Sequence, residues 1–330
     1  MRVIQATQFG SPSVLTVVDL PDPTPGPGQI AIDVTHAAVG LIDLLFRQGQ
    51  FKDVPGMAQP PFIPGLEVAG TVRALGDGMT GFAIGEKVVS MSAGAGTGGY
   101  ASVYIAPVHG VVSIEGSNVD PALAVAMIPN AAMAHVALTL VAKLAEGESV
   151  LVHGALGGFS SAFPGIARQL GASRVVGTVR SGKLEASANT KLPYDRIVDS
   201  AELPGVLDGE KFDVIIDPVG GAVRSQSFAL MKPGSRLVVA GNASGDRDHI
   251  VKTNDLWLGS MTVAGFNAGA FLPSHPDAIR PGLEAALKAV ASGLCDIPVD
   301  VLSFSEAVTA HERMESRDLN GRIVLHRNSN

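Results

Sequence analysis

The residues best placed to do chemistry lie in the run Val150-Leu-Val-His-Gly-Ala-Leu-Gly-Gly-Phe-Ser-Ser161, where an apolar strand, Ser149–His153, leads into glycines and then a helix. Short residues let the backbone approach a pyrophosphate, and the N–H groups of a first helical turn can bind it. The next strand ends in Thr178-Val179-Arg180-Ser181-Gly182-Lys183, with no Asp or Glu before Glu185. At this place an acidic side chain would accept hydrogen bonds from a ribose diol and a basic one would pair a 2′-phosphate. Two cations beside a hydroxyl favour NADPH over NADH; the plainer alternative is a pair of solvated loop charges. Later strand ends carry Asp217-Pro-Val-Gly-Gly221, Gly241-Asn-Ala-Ser-Gly245 and Phe266-Asn267. These turns are expected to line one crevice at the carboxyl ends of the strands, although Asn242 and Asn267 serve equally well as turn formers.

A nicotinamide carries the hard chemistry itself and asks mainly for orientation and a dry pocket. Candidate acids and ligands elsewhere read mostly as structural. Asp43 and Arg47 lie four apart on a helix expected over Leu41–Arg47, a spacing that suits an ion pair better than catalysis. His36, His109, His135 and His153 show no metal-ligand spacing, Tyr100 follows Gly98-Gly99 as a packing residue, and Tyr194 and His275 have no assigned role. Leu45, Phe46, Phe51, Met57 and Phe62 crowd a Pro-rich loop, Pro55–Pro64, and predict an apolar pocket for a hydrophobic small molecule, with the loop its rigid wall or simply the link from helix to strand.

The elements that must position these residues fall into two styles. From Arg2 to Ile105 short strands, Gln29–Thr35, Glu67–Leu75, Lys87–Met91 and Tyr100–Ile105, are broken by Gly and Pro, as in a β-rich domain. After Pro121 comes a helix over Ala122–Leu144. Strands Ser149–His153, Arg174–Val179, Asp213–Asp217, Arg236–Ala240 and Thr262–Phe266 follow, spaced by crossover helices. That alternation predicts a doubly wound parallel sheet. A helix Ala278–Ser292, a strand Val299–Leu302, a helix Ser305–Glu315 capped by Ser305 and a strand Arg322–His326 return to the first style. The expected division is a nucleotide domain, 122–270, inserted into a second domain built from 1–121 and 271–330.

At 330 residues the chain can bury two cores, and 46% hydrophobic with 17% charged residues is too apolar for disorder. No unbroken apolar run reaches the roughly 18 residues of a membrane span. The N-terminal residues lack the pattern of a secretory signal, so a cytoplasmic protein is expected. A net charge of −7 without a basic run leaves no footprint for nucleic acid. The lone Cys295 excludes an intrachain disulfide and a cysteine-rich zinc site, and reads as a small residue packed near a helix end.

Taken together, Ile63-Pro-Gly-Leu-Glu-Val-Ala-Gly70, Gly85-Glu-Lys-Val-Val89, Gly98-Gly-Tyr-Ala101, His153–Gly158, Asp217–Gly221 and Gly321-Arg-Ile-Val-Leu325 give the chain a resemblance over its whole length. It resembles the zinc-independent medium-chain dehydrogenase/reductases, above all quinone oxidoreductases and 2-enoyl thioester reductases. The resemblance implies an α/β fold, a Rossmann doubly wound parallel sheet with a GroES-like β-rich domain, usually as a homodimer. It implies NADPH-dependent reduction of quinones or α,β-unsaturated carbonyl compounds. The alternatives are an enoyl thioester reductase of a biosynthetic pathway, or a nucleotide-binding protein of this fold with little activity. By resemblance Gly157 and Gly158 fall at the pyrophosphate, Ser160 at the last glycine of the same cofactor-binding turn, and Arg180, Ser181 and Lys183 at the 2′-phosphate. Gly241, Asn242, Phe266 and Asn267 fall at the nicotinamide half, and Asn130 and Arg322 at two further cofactor contacts.

Departures accompany the likeness. Val39-Gly-Leu-Ile-Asp43 stands where zinc-dependent relatives keep their first ligand, so no metal is expected. Gly40 and Leu45 replace an Asn and a Tyr frequent in quinone oxidoreductases, and Phe51 replaces the Tyr resembling a proton donor in enoyl reductases, which leaves the catalytic acid unassigned. Ser160 replaces the usual last glycine. Pro164 suits only the first turn of a helix, so that helix is expected to begin late, capped by Ser160 or Ser161.

Overall fold

Runs of β-branched residues broken by Gly and Pro make the first third of the chain a succession of strands. They are β1 (Arg2–Ala6), β2 (Leu15–Asp19), β3 (Gln29–Val39), β4 (Glu67–Leu75), β5 (Lys87–Met91), β6 (Val103–Pro107) and β7 (Val111–Ser113), with one helix, α1 (Leu41–Arg47), among them. The computed structural model describes residues 1–92, 98–246, 248, 250–317 and 319–327. Helix α2 (Pro121–Val136) passes into a π turn, Ala137–Val141, short of the expected Leu144. It is long and apolar enough to cross a membrane, but most of it is buried inside the fold and Asn130 interrupts it, as in a core helix.

Strand and helix then alternate: β8 (Ser149–His153), α3 (Phe163–Gln169), β9 (Arg174–Val179), α4 (Leu184–Ser187), β10 (Arg196–Asp199), β11 (Phe212–Asp217), α5 (Ala222–Ser227), β12 (Met231–Val239), α6 (Thr253–Gly259) and β13 (Thr262–Gly265). The chain continues through α7 (Ala268–Ser274), α8 (Ile279–Ala291), β14 (Val299–Ser303), α9 (Ala307–Glu315) and β15 (Arg322–His326).

Two compact units result. One comprises Met1–Pro129, Leu272–Ala291 and Pro298–Asn330; the other comprises Asn130–Phe271 and Ser292–Ile297. The division falls inside α2, at a proline that removes a helical hydrogen bond, rather than before the helix. The first unit holds a seven-stranded sheet, ordered β14-β15-β3-β4-β5-β7 with β6 also on β3, and a β1-β2 pair. The second holds a six-stranded parallel sheet ordered β10-β9-β8-β11-β12-β13, the doubly wound arrangement in which the order reverses beside the first strand, β8. Leu151, Val176, Ile215 and Leu237 are fully buried within its core.

Several local expectations are corrected. Ser303, not Ser305, caps the penultimate helical stretch: its hydroxyl accepts from Ser305 N–H while Glu306 reaches back to Ser303 N–H. Residues Ser292–Ile297 join the nucleotide unit because Cys295 packs against α3. A Cβ added to Gly165 would meet Cys295 Sγ at 2.7 Å, which explains a glycine there. Cys295 is buried, and burial pushes its thiol up to about 12. Strands β1, β2, β7 and β10 add to those expected.

Candidate dinucleotide site

The parallel sheet brings the turns after β8, β9, β11, β12 and β13 to one end. After β8, Gly154 has φ +67°, a left-handed conformation that favours glycine, and Gly157 N–H donates to Gly154 O at 2.7 Å. The chain then enters a 3-10 turn, Ser160–Ala162, and α3 begins at Phe163 with Pro164 in its first turn. The late helix start is therefore present, but neither serine caps it. Ser160 Oγ donates to His153 O at 2.9 Å and Ser161 Oγ to Gly158 O at 3.1 Å. Ser160 is buried and its hydroxyl is committed to the end of β8. Tyr194, which sequence reasoning left without a role, braces this turn: its hydroxyl donates to Ala155 O at 3.2 Å and its ring covers Gly177, where a Cβ would meet the ring at 3.0 Å.

Beneath the turn, His153 is buried between β9 and α5, its Nδ1 2.9 Å from Thr178 Oγ1 and its Nε2 2.8 Å from Ser227 Oγ. Burial pulls its imidazole down to about 4 and keeps it neutral. Its role is structural.

The turns after β11 and β12 are built as one piece. Asp217 is fully buried, and its Oδ1 accepts from Val219 N–H at 2.9 Å and Gly220 N–H at 2.8 Å. Its Oδ2 accepts from Arg224 Nε at 2.5 Å, and the same guanidinium donates to Gly241 O at 2.6 Å. Ala243 N–H and Ser244 N–H donate to Pro218 O and Val219 O. A Cβ at Gly220 would run into Asn242 Oδ1, so glycine there lets the Asn242 side chain lie over the turn. Arg224 carried no signal in local spacing, because its partners come from two different strand ends.

After β13, Phe266 is buried and packs on Phe271 with ring centroids 5.6 Å apart. Asn267 Oδ1 accepts from Gly269 N–H at 3.1 Å and its carbonyl from Phe271 N–H at 2.8 Å, so Asn267 is a helix-capping turn former. At the end of β9, Arg180 and Ser181 are exposed and Lys183 half-exposed. Thus Gly157, Gly158, Ser160, Arg180, Ser181, Lys183, Gly241, Asn242, Phe266 and Asn267 share one end of one sheet. Asn130 is buried in α2.

Arg322 belongs to the other unit, where it is buried and ion-paired with Glu67. Asp43 lies in the same interior and accepts from Gly40 N–H at 2.8 Å and Gly65 N–H at 3.0 Å. Burial pushes its carboxyl up to about 7, and the Glu67 charge adds to that. The expected Asp43–Arg47 ion pair does not form. Arg47 instead pairs with Glu315 and donates to Gly10 O at 2.7 Å, partners reached only through tertiary folding. Tyr100 OH stands 3.2 Å from His311 Nε2, and desolvation and the Arg47 charge hold that imidazole down at about 3.

With Asp43 committed to backbone N–H groups and Glu67 to Arg322, these residues do not fit a catalytic zinc. Among the described residues no group of three or more His, Cys, Asp or Glu could hold a metal. The expected apolar pocket is also narrower than its sequence suggested: Phe46 and Phe62 belong to the core, while Phe51 and Met57 are partly buried against it.

This chain matches the family model described as alcohol dehydrogenase GroES-like domain over residues 26–116 and the one described as zinc-binding dehydrogenase over 170–325. It is 30% identical over 248 residues to a quinone oxidoreductase of Lama guanicoe, covering 73% of each chain. It is 28% identical over 311 residues to a 2-haloacrylate reductase of a Burkholderia species, covering 92% of each. A mycobacterial structure in complex with NADPH superposes with a TM-score of 0.82 at 28% identity, covering 99% of this chain and 100% of the other. The chain spans 64% of the length of the synaptic vesicle membrane protein VAT-1 homolog of Danio rerio and 57% of that of the VAT-1 homolog-like proteins of Homo sapiens and Mus musculus. The chain belongs to the medium-chain dehydrogenase/reductase family, among its quinone oxidoreductase-like members.

Proposed function

We propose that this protein is an NADPH-dependent reductase of quinones or α,β-unsaturated carbonyl compounds that works without zinc. The observation that carries the reading is the set of strand-end turns in the nucleotide unit, bare of side chains where a pyrophosphate must approach and followed at β9 by Arg180, Ser181 and Lys183. At Gly154, Gly220 and Gly241 a Cβ would meet Val219, Asn242 and Pro218, so glycine lets these turns pack closely against one another, as the glycine-rich turns of a dinucleotide site do. A reduced nicotinamide, when bound, supplies the hydride.

The chain's own residues bind and orient. The backbone of Gly157, Gly158 and Ser160 takes the pyrophosphate; Arg180, Ser181 and Lys183 take the 2′-phosphate; Gly241, Asn242, Phe266 and Asn267 hold the nicotinamide half. Asn130 and Arg322 are assigned to the cofactor on family resemblance, and Arg322 would then act while paired with Glu67. With Phe51 in place of a tyrosine, solvent supplies the proton. Leu45, Phe51 and Met57 suit a hydrophobic substrate, and the quinone and 2-haloacrylate relatives support the substrate class.

A homodimer is part of this reading. β13 ends its sheet with one pairing edge open among the described residues, beside Trp257 and Leu258, which are 76% and 73% exposed. Two copies pairing along Thr262–Gly265 would cover that edge and the apolar surface. The expected compartment is the cytoplasm.

The test is loss of NADPH absorbance when quinones and enones, 2-haloacrylate included, are added to the purified protein. Turnover of at least one is expected, and none across the panel would overturn the reading. NADPH binding without turnover would favour a nucleotide-binding protein of this fold.

A further inference from the structure

The preference for NADPH rests on Arg180, Ser181 and Lys183, yet the fold brings them a fourth group that local sequence hides. β10 pairs in parallel with β9, and the register sets Asp199 level with Val179, at the carboxyl end of the outermost strand. The Ser181 hydroxyl donates to the Asp199 carboxylate, and Ala201 N–H donates to its Oδ1 at 2.8 Å. These hydrogen bonds hold the carboxyl below the usual carboxylate range, so it is ionised at neutral pH. The adenosine end thus presents two cations and an anion. A carboxylate accepts hydrogen bonds from the 2′- and 3′-hydroxyls of an unphosphorylated ribose and repels a 2′-phosphate. The acidic group missing after β9 is supplied by the neighbouring strand.

We propose that Asp199 is a specificity-determining residue that lets the site take NADH alongside NADPH. Its carboxylate receives the ribose diol of NADH, while Arg180 and Lys183 receive the 2′-phosphate of NADPH. The inference rests on the dinucleotide reading of this site and adds the group that sets its choice. A purely structural Asp199 would only cap the short turn Ser200–Glu202. Two variants separate these roles: Asp199→Asn removes the charge, and Asp199→Ser removes it while keeping a short acceptor for Ala201 N–H.

The experiment is calorimetric titration of wild type and both variants with NADPH and with NADH at one low ionic strength, where charge effects are least screened. Wild type is expected to bind both dinucleotides. Both variants should shift the NADH-to-NADPH ratio of Kd toward NADPH by about fivefold or more, as removal of one repelling charge predicts. A smaller shift in either variant, or wild type that takes NADPH but not NADH, would overturn the role of Asp199 and leave the dinucleotide reading standing. Binding of neither by wild type would overturn both.

Discussion

Two clusters of charged and polar residues, one in each unit, are used in opposite ways. In the nucleotide unit, Asp217 and Arg224 pair with each other, point at backbone and hold two glycine turns in place at the end of the sheet. In the β-rich unit, Asp43, Glu67, Tyr100, His311 and Arg322 turn inward, away from solvent, Glu67 pairing with Arg322 and Tyr100 meeting His311. In the proposed dinucleotide surface the contacts are mostly backbone, and Asp217 and Arg224 are the braces behind it. The inward cluster has its carboxylates engaged with Arg322 and with backbone, while His311 Nδ1 and Arg322 Nε are buried with no hydrogen-bond partner among the described residues.

The largest effect expected from breaking this contrast is at Asp217. Asp217→Ala strands Arg224 and two N–H donors, and should cost about 3 to 5 kcal/mol in urea unfolding and abolish NADPH binding by calorimetry. Full binding by a destabilised variant would uncouple the brace from the site. Next is Glu67→Gln, which leaves Arg322 buried with a neutral partner. About 2 kcal/mol of lost stability is expected.

The third is a pH effect. Because Asp43 has a folded value near 7, above its ordinary 3.8, its contribution to stability is complete at low pH and is lost as pH rises from about 4 to about 7. Asp43→Asn should remove that loss, so the variant gains stability relative to wild type between pH 4 and 7. His153 and His311 act in the opposite sense, their stability being present above pH 6.5 and lost as pH falls toward about 4 and about 3. An unchanged difference across that range would mean that Asp43 is not desolvated. The smallest effect on stability, within about 0.5 kcal/mol, is expected for Trp257→Asp with Leu258→Asp. This exposed pair should instead convert a dimer to a monomer in sedimentation, and an unaltered dimer would move the interface elsewhere.

Much of this was legible in sequence because it is local. Leu41–Arg47, Ser149–His153, Arg174–Val179 and Arg322–His326 are observed within the bounds that periodicity predicts. What was hidden depends on residues far apart in the chain. The spacing of Asp43 and Arg47 pointed to a pair, but burial gave Asp43 to Gly65 and Arg47 to Glu315. Strand β10 holds only Ile197 and Val198 between Arg196 and Asp199, too short a signal for an edge strand, and with it went Asp199. The serines expected to cap α3 spend their hydroxyls on carbonyls of the preceding turn, because the 3-10 entry leaves those carbonyls within reach.

On the proposed function, the strand-end turns of the nucleotide unit hold NADPH. A crystal structure of the protein grown with NADPH tests it most directly. The pyrophosphate is expected against Gly157 and Gly158 and the 2′-phosphate against Arg180, Ser181 and Lys183. A dinucleotide bound elsewhere, or these turns empty at saturating NADPH, would contradict it.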